Sequence, residues 1–197
     1  KIFNEQFISK LKNVKFNGSL GDFNMNPEAV EIVEYLRHNN KNMDIEINTN
    51  GHSRNSDFWR KLADSDPVVL FALDGMEDTH SLHRIGTTFS RVIQNAKTFI
   101  DAGGRATWKM IVFDHNKHQV SQCSKLAKDM KFFDFELVND RRNNAFVFNN
   151  DGSHSHTIGK PPHRKPLDAR ELLQWKAAHD WRSDVKEKNR IVCEALR

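Results

Sequence analysis

Cysteine is scarce. Only Cys123 and Cys193 occur in 197 residues, far apart in the chain. That excludes the disulfide framework of a small secreted domain. Long hydrophobic runs are also missing. None approaches the roughly 20 residues needed to span a bilayer, so the sequence predicts no transmembrane helix and no membrane partner. No charged, apolar and small-residue leader opens the chain, and a cytoplasmic location is expected. There is a single tyrosine against 14 phenylalanines. Charge of one sign is weak too: 30 basic against 26 acidic side chains leave a formal +4. A surplus that small does not by itself argue for a nucleic-acid partner. The chain opens at Lys1 inside a helical pattern and stops at Leu196 and Arg197 without a closing feature. Both ends are expected to be cut.

What is present is an ordinary soluble balance, 38% hydrophobic and 28% charged, in a length that suits one domain. Helical and strand patterns alternate along it. Residues 3–12 place Phe3, Phe7, Ile8 and Leu11 on one helical face, and residues 14–16 read as a short strand. Asn26, Pro27 and Glu28 suit the start of a helix carrying Val30, Val33 and Leu36. Residues 43–47 predict a strand, and Phe58, Trp59 and Leu62 the inner face of the next helix. The apolar run 68–73 fits a strand buried on both faces of a parallel sheet. A helix over 87–102, ended by Gly103 and Gly104, precedes a strand over 106–113. A helix through Val120 and Leu126 and a strand over 132–138 follow. Such alternation with short loops predicts right-handed crossovers and an α/β fold with a parallel sheet. Residues 145–152 suggest a hairpin, 159–166 a connector, and 167–185 an amphipathic helix.

In parallel α/β folds the carboxyl ends of the strands form the binding mouth. Here those ends are the polar segments 17–22, 48–52, 74–84, 114–118 and 139–142. Gly18 and Gly21 permit positive φ and close approach of backbone to a ligand. Asp22 can accept hydrogen bonds from an ammonium group, and Arg84 can clamp a carboxylate. Asp74, at the end of an apolar strand, is expected half-buried over the sheet. His154 and His156 have no carboxylate or thiol at ligand spacing, so a solvated turn is expected there. His118 is expected on a helix surface, and His115 could reach the mouth.

These loops together resemble the radical S-adenosylmethionine (AdoMet) superfamily. The segment Phe16-Asn17-Gly18-Ser19-Leu20-Gly21-Asp22-Phe23, followed by Pro27, resembles its Gly-Gly-Glu-Pro motif after strand two. Gly21 and Asp22 match the second Gly and the acid; Leu20 and Phe23 depart from the first Gly and the Pro. Thr49-Asn50-Gly51 is similar to the family's ending of strand three. Asp74-Gly75, with His80 and Arg84, resembles the Ser-Leu-Asp-Gly segment of strand four, although Ala72 stands where a ribose-contacting Ser is usual. Gly86-Thr87-Thr88-Phe89 also fits. The match runs over residues 12–141.

The resemblance implies a partial (β/α)6 parallel barrel, truncated at both ends, with strands two to six in residues 1–144. It implies AdoMet as cofactor, held by Gly18, Gly21, Asp22, Thr49, Asn50, Asp74 and Arg84. The apolar strands would supply a dry barrel wall. The family's three-cysteine motif for the [4Fe–4S] cluster is missing, so the cluster ligands are expected outside these residues. Residues 145–197 would form a hairpin, linker and helix leading to an auxiliary-cluster region. There Ile191-Val192-Cys193 resembles the entry to a SPASM or twitch segment, with Cys193 as ligand to an auxiliary iron–sulfur cluster. A peptide or small-molecule substrate follows, with an electron donor such as flavodoxin or ferredoxin. Two other readings use the same residues: a metal-dependent hydrolase or phosphate-handling barrel built on Asp22, Asp74 and His115, and a nucleic-acid-binding module using the basic C-terminal third.

Overall fold

A computed structural model describes residues 4–18, 21–139, 145–149 and 151–158. The predicted helix over 167–185 and Cys193 lie outside them. Five strands form one parallel sheet in sequential order: β1 (Asn13–Phe16), β2 (Asp44–Thr49), β3 (Val68–Ala72), β4 (Arg105–Val112) and β5 (Asp134–Asn139). Between them run α2 (Ala29–Asn39), α3 (Ser56–Asp64), α4 (Glu77–His83), α5 (Phe89–Asp101) and α6 (Val120–Asp129), after an opening turn α1 (Glu5–Ile8). Strand order that never reverses means each crossover steps to the next position, which is the winding of a barrel wall and not of a doubly wound sheet. The α/β partial barrel expected from the sequence is therefore the fold found.

Alternation explains the two faces. Ile45 and Ile47, Val69 and Phe71, and Ala106, Trp108 and Met110 are all buried, at spacing two within their strands. They pack under Trp59, Leu62, Val92, Ala96 and Phe99 from the helices. Trp59 stands 5.1 Å from the ring of Phe71, which lies 6.1 Å from Phe99. Burying each such side chain contributes about 1.5–3 kcal/mol.

The opposite, concave face departs from the expected dry wall. β3 is apolar there, through Leu70 and Ala72, and Ile111 adds an apolar side chain near the end of β4. The neighbouring strands carry Lys15, Glu46, Asn48, Lys109 and Glu136, joined across the sheet by Lys15–Glu46 (2.8 Å), Lys109–Asn48 (3.0 Å) and Lys109–Glu136 (3.9 Å). Most apolar residues of these strands face the helices, which leaves the charged alternates to the lumen.

Local differences from expectation have local causes. Helix α2 starts at Ala29, because Asn26 Oδ1 accepts the Glu28 N–H in a turn that precedes the helix. Helix α4 falls within a segment read as loop; its buried positions are the polar Thr79 and His80, so it shows no apolar stripe. The expected hairpin forms from β6 (Ala145–Phe148) and β7 (His154–Ile158), antiparallel. Val147 and Ile158 pack on Phe113 and Ile111 beside the end of β4. His154 and His156 lie in β7 and not in a turn, and His156 Nε2–H donates to the Leu82 carbonyl at 2.8 Å.

Candidate functional site

A polar pocket of about 310 Å³ opens at the carboxyl ends of β1 to β4. Its loop side is made by Asn17, Gly18, Asp22, Thr49, Asn50 and Arg84, and its floor by Asn48, Leu70, Ala72, Lys109 and Ile111. Five of the seven cofactor residues expected from the sequence thus line one cavity. Gly21 and Asp74 are not among its lining residues.

Asp22 builds the loop side. Its Oδ1 accepts from the Asn24 N–H at 3.0 Å, capping a one-turn 3-10 helix at Phe23–Met25. Its Oδ2 accepts from the Thr49 hydroxyl at 2.9 Å and the Asn50 N–H at 2.7 Å. The carboxylate therefore staples the loop after β1 to the end of β2. Thr49 Oγ1 in turn accepts from the Gly51 N–H and from Asn24 Nδ2, both at 2.9 Å. Arg54 fastens the same loop from outside by donating to the Asn24 and Asn26 carbonyls. Two glycines are required here. Gly18 has φ +68°, and a Cβ on it would come 3.3 Å from the Gly21 carbonyl. Gly51, at φ +69°, would drive a Cβ to 2.6 Å from the Phe71 ring.

Asp74 works differently. It is fully buried. His83 Nδ1–H and Arg84 Nε–H both donate to its Oδ2 at 2.6 Å, and the Ile111 N–H donates to Oδ1 at 2.7 Å. Burial alone would raise this carboxyl, but the His83 hydrogen bond and the Arg84 charge outweigh it and hold it below its ordinary range. Asp74 thus holds the Arg84 guanidinium at the pocket wall. His80 is buried beside it, accepting the Asp74 N–H at Nδ1 and donating from Nε2 to Thr87 Oγ1. Burial lowers its pKa to about 4, so it is neutral at pH 7.

His115 is stacked on Phe113 at 5.2 Å and is not part of the pocket lining. His118 is exposed, as expected, on a 3-10 turn. Among the described residues no three His, Cys, Asp or Glu side chains are grouped to hold a metal ion. The site residue that the sequence reading passed over is Lys109. Its signal was there: one lysine within Ala106-Thr107-Trp108-Lys109-Met110-Ile111, in the phase opposite to the buried Trp108 and Met110.

The family model "Radical SAM superfamily" matches residues 8–122, more than half of the chain. The chain belongs to the radical SAM superfamily, whose members use AdoMet and a [4Fe–4S] cluster. Solved structures agree on the fold. The chain is similar to native anSMEcpe with bound AdoMet and the Cp18Cys peptide, at 20% identity and TM-score 0.58, covering 76% of this chain and 44% of that one. It is similar to Streptococcus suis SuiB bound to S-adenosylmethionine, at 15% identity and TM-score 0.57, covering 89% and 37%. SuiB bound to the precursor peptide SuiA aligns at 16% identity and TM-score 0.56, covering 64% and 28%. The chain spans less than half the length of these enzymes. Among curated proteins, none matches it.

The residues present fit AdoMet and do not fit the cluster. The pocket offers one carboxylate and one guanidinium around a glycine-lined cradle, as a methionyl group requires. The whole sequence has two cysteines, fewer than the three of the cluster motif. Of these, Cys123 is buried on α6, and burial pushes its thiol up to about 11, which makes it an inert packed group. No helix among the described residues is long and apolar enough to cross a membrane.

Proposed function

We propose that this chain is the AdoMet-binding part of a radical SAM enzyme, with the methionyl end of the cofactor seated between Asp22 and Arg84. One observation carries this reading: a carboxylate and a guanidinium line the same polar pocket at the carboxyl ends of the strands. The cofactor's ammonium pairs with Asp22 and the backbone around Gly18, and its carboxylate with the Arg84 fork. Thr49 and Asn50 shape the cradle, and Asp74 positions Arg84 from below. The bound groups supply the radical chemistry, reduction of the sulfonium and hydrogen abstraction from the substrate. The cluster is held by cysteines other than those of residues 1–158.

A peptide is the substrate class we favour, because anSMEcpe and SuiB, which share this fold, were solved with peptides. A SPASM-like segment beginning at Cys193, a cytoplasmic location and a flavodoxin or ferredoxin donor complete the reading. The direct test is anaerobic reconstitution of the full-length protein with iron and sulfide, followed by AdoMet and dithionite. Equimolar methionine and 5′-deoxyadenosine are expected. A fully loaded cluster without cleavage contradicts the proposal. In the same preparation Cys193→Ser should lower iron content while cleavage persists; equal iron content removes Cys193 from any cluster.

A further inference from the structure

The charges that line the pocket do not balance against the cofactor. Asp22, Arg84 and Lys109 are the charged lining residues. On the reading above, the cofactor's ammonium takes Asp22 and its carboxylate takes Arg84. Lys109 is left over, on the sheet floor and not on the loop cradle.

Its partners within the described residues are incomplete. Lys109 Nζ donates to the neutral Asn48 Oδ1 at 3.0 Å. Glu136 Oε2 stands at 3.9 Å, beyond hydrogen-bond reach. A closed pair on the same face looks different: Lys15 and Glu46 meet at 2.8 Å. The space above Lys109 is also clear. Its register partner on β3 is Ala72, whose methyl group lines the pocket floor with Leu70. The side chain is 29% exposed, and a lysine at mid-strand that faces a cavity can place two remaining N–H donors there.

We propose that Lys109 is a specificity-determining residue that binds a carboxylate of the substrate peptide, from an acidic side chain or the C-terminus. This rests on the radical SAM reading, because the assignment of Asp22 and Arg84 to the cofactor leaves Lys109 with no anion nearer than the Glu136 carboxylate at 3.9 Å. The carboxylate would tether the peptide on the floor of the barrel, below the cofactor.

The test uses the reconstituted full-length holoenzyme with saturating AdoMet. The probes are octapeptide pools with Glu, Gln or Lys fixed at the centre, each with a free or amidated C-terminus. Wild type should bind one carboxylate-bearing pool about tenfold tighter than its amide counterpart, the scale of a hydrogen bond to a charged group. Side-chain and terminal carboxylates are told apart by which amidation abolishes the preference. Lys109→Gln should erase the preference, Lys109→Arg should keep it, and Lys109→Glu should turn it toward the Lys pool. AdoMet affinity, titrated separately, should change far less than the peptide preference. A wild type without preference, or a preference that survives in Lys109→Gln, overturns the proposal. So does a variant whose main defect is in AdoMet affinity. Failure of wild type to bind or cleave AdoMet is a separate result, and it removes the underlying reading as well.

Discussion

Asp22 and Asp74 follow two strands of one sheet, β1 and β3, and both carry short hydrogen bonds, yet they do opposite work. Asp22 is half-buried, lines the pocket and binds mostly backbone and hydroxyl donors. Asp74 has no exposed surface and binds two cationic or ionisable side chains. The first carboxylate remains open to a ligand; the second is spent on holding Arg84 and His83 in place. Two acids in the segments that follow strands of one sheet are thus told apart by their partners and their burial.

The largest effect should come from Asp74→Ala. It strands the Arg84 and His83 donors and the Ile111 amide in a buried site, at about 3–5 kcal/mol. Urea denaturation should show the loss, with AdoMet affinity falling as Arg84 drifts. If stability instead stays near that of wild type, Asp74 is not the anchor described here.

Acid should act on the same region next. His80 titrates near 4 in the fold against an ordinary 6.5, so the unfolded chain binds the extra proton between those values. Its contribution to stability, up to about 3 kcal/mol, is complete above pH 6.5 and is lost as pH falls toward 4. Asp74, held below 3.8, adds its own loss at still lower pH. Denaturation at a series of pH values should show this slope in wild type and a shallower one in His80→Gln. Parallel curves would remove His80 as its source.

Smaller effects belong to the Asp22 side. Gly51→Ala should cost about 1–3 kcal/mol, since its Cβ would overlap the Phe71 ring. Gly18→Ala should cost about 1 kcal/mol through its positive φ, with the carbonyl of Gly21 giving way slightly. Thermal melts rank the two; a reversed order would mean that the Gly18 loop is the stiffer of the pair.

Much of this was legible from the chain alone. The strands announced themselves through the apolar alternation of Ile45 and Ile47 and the continuous run into Leu73, and Gly103-Gly104 marked a helix end. The polar strand ends were readable as one mouth, and Asp22 and Arg84 as opposite charges within it. Side-chain partnership was not readable. Nothing in the spacing of Asp74, His83 and Arg84 says that they bind each other and leave only Arg84 at the pocket. Helix α4 was hidden because Thr79 and His80 fill its buried positions. Lys109 was hidden because the buried Ala106, Trp108 and Met110, which face the helices, dominate the pattern of its strand.

The central claim is that Asp22 contacts the cofactor while Asp74 only positions what does. Calorimetric titration of AdoMet into the reconstituted full-length protein, wild type against Asp22→Ala, tests it most directly when run with urea denaturation of both. Removing a charge-assisted partner should weaken binding by about 1.5–3 kcal/mol, roughly 10- to 150-fold, while stability falls by about 1–3 kcal/mol, less than in Asp74→Ala. Unchanged affinity in Asp22→Ala would contradict the account and take Asp22 out of the site.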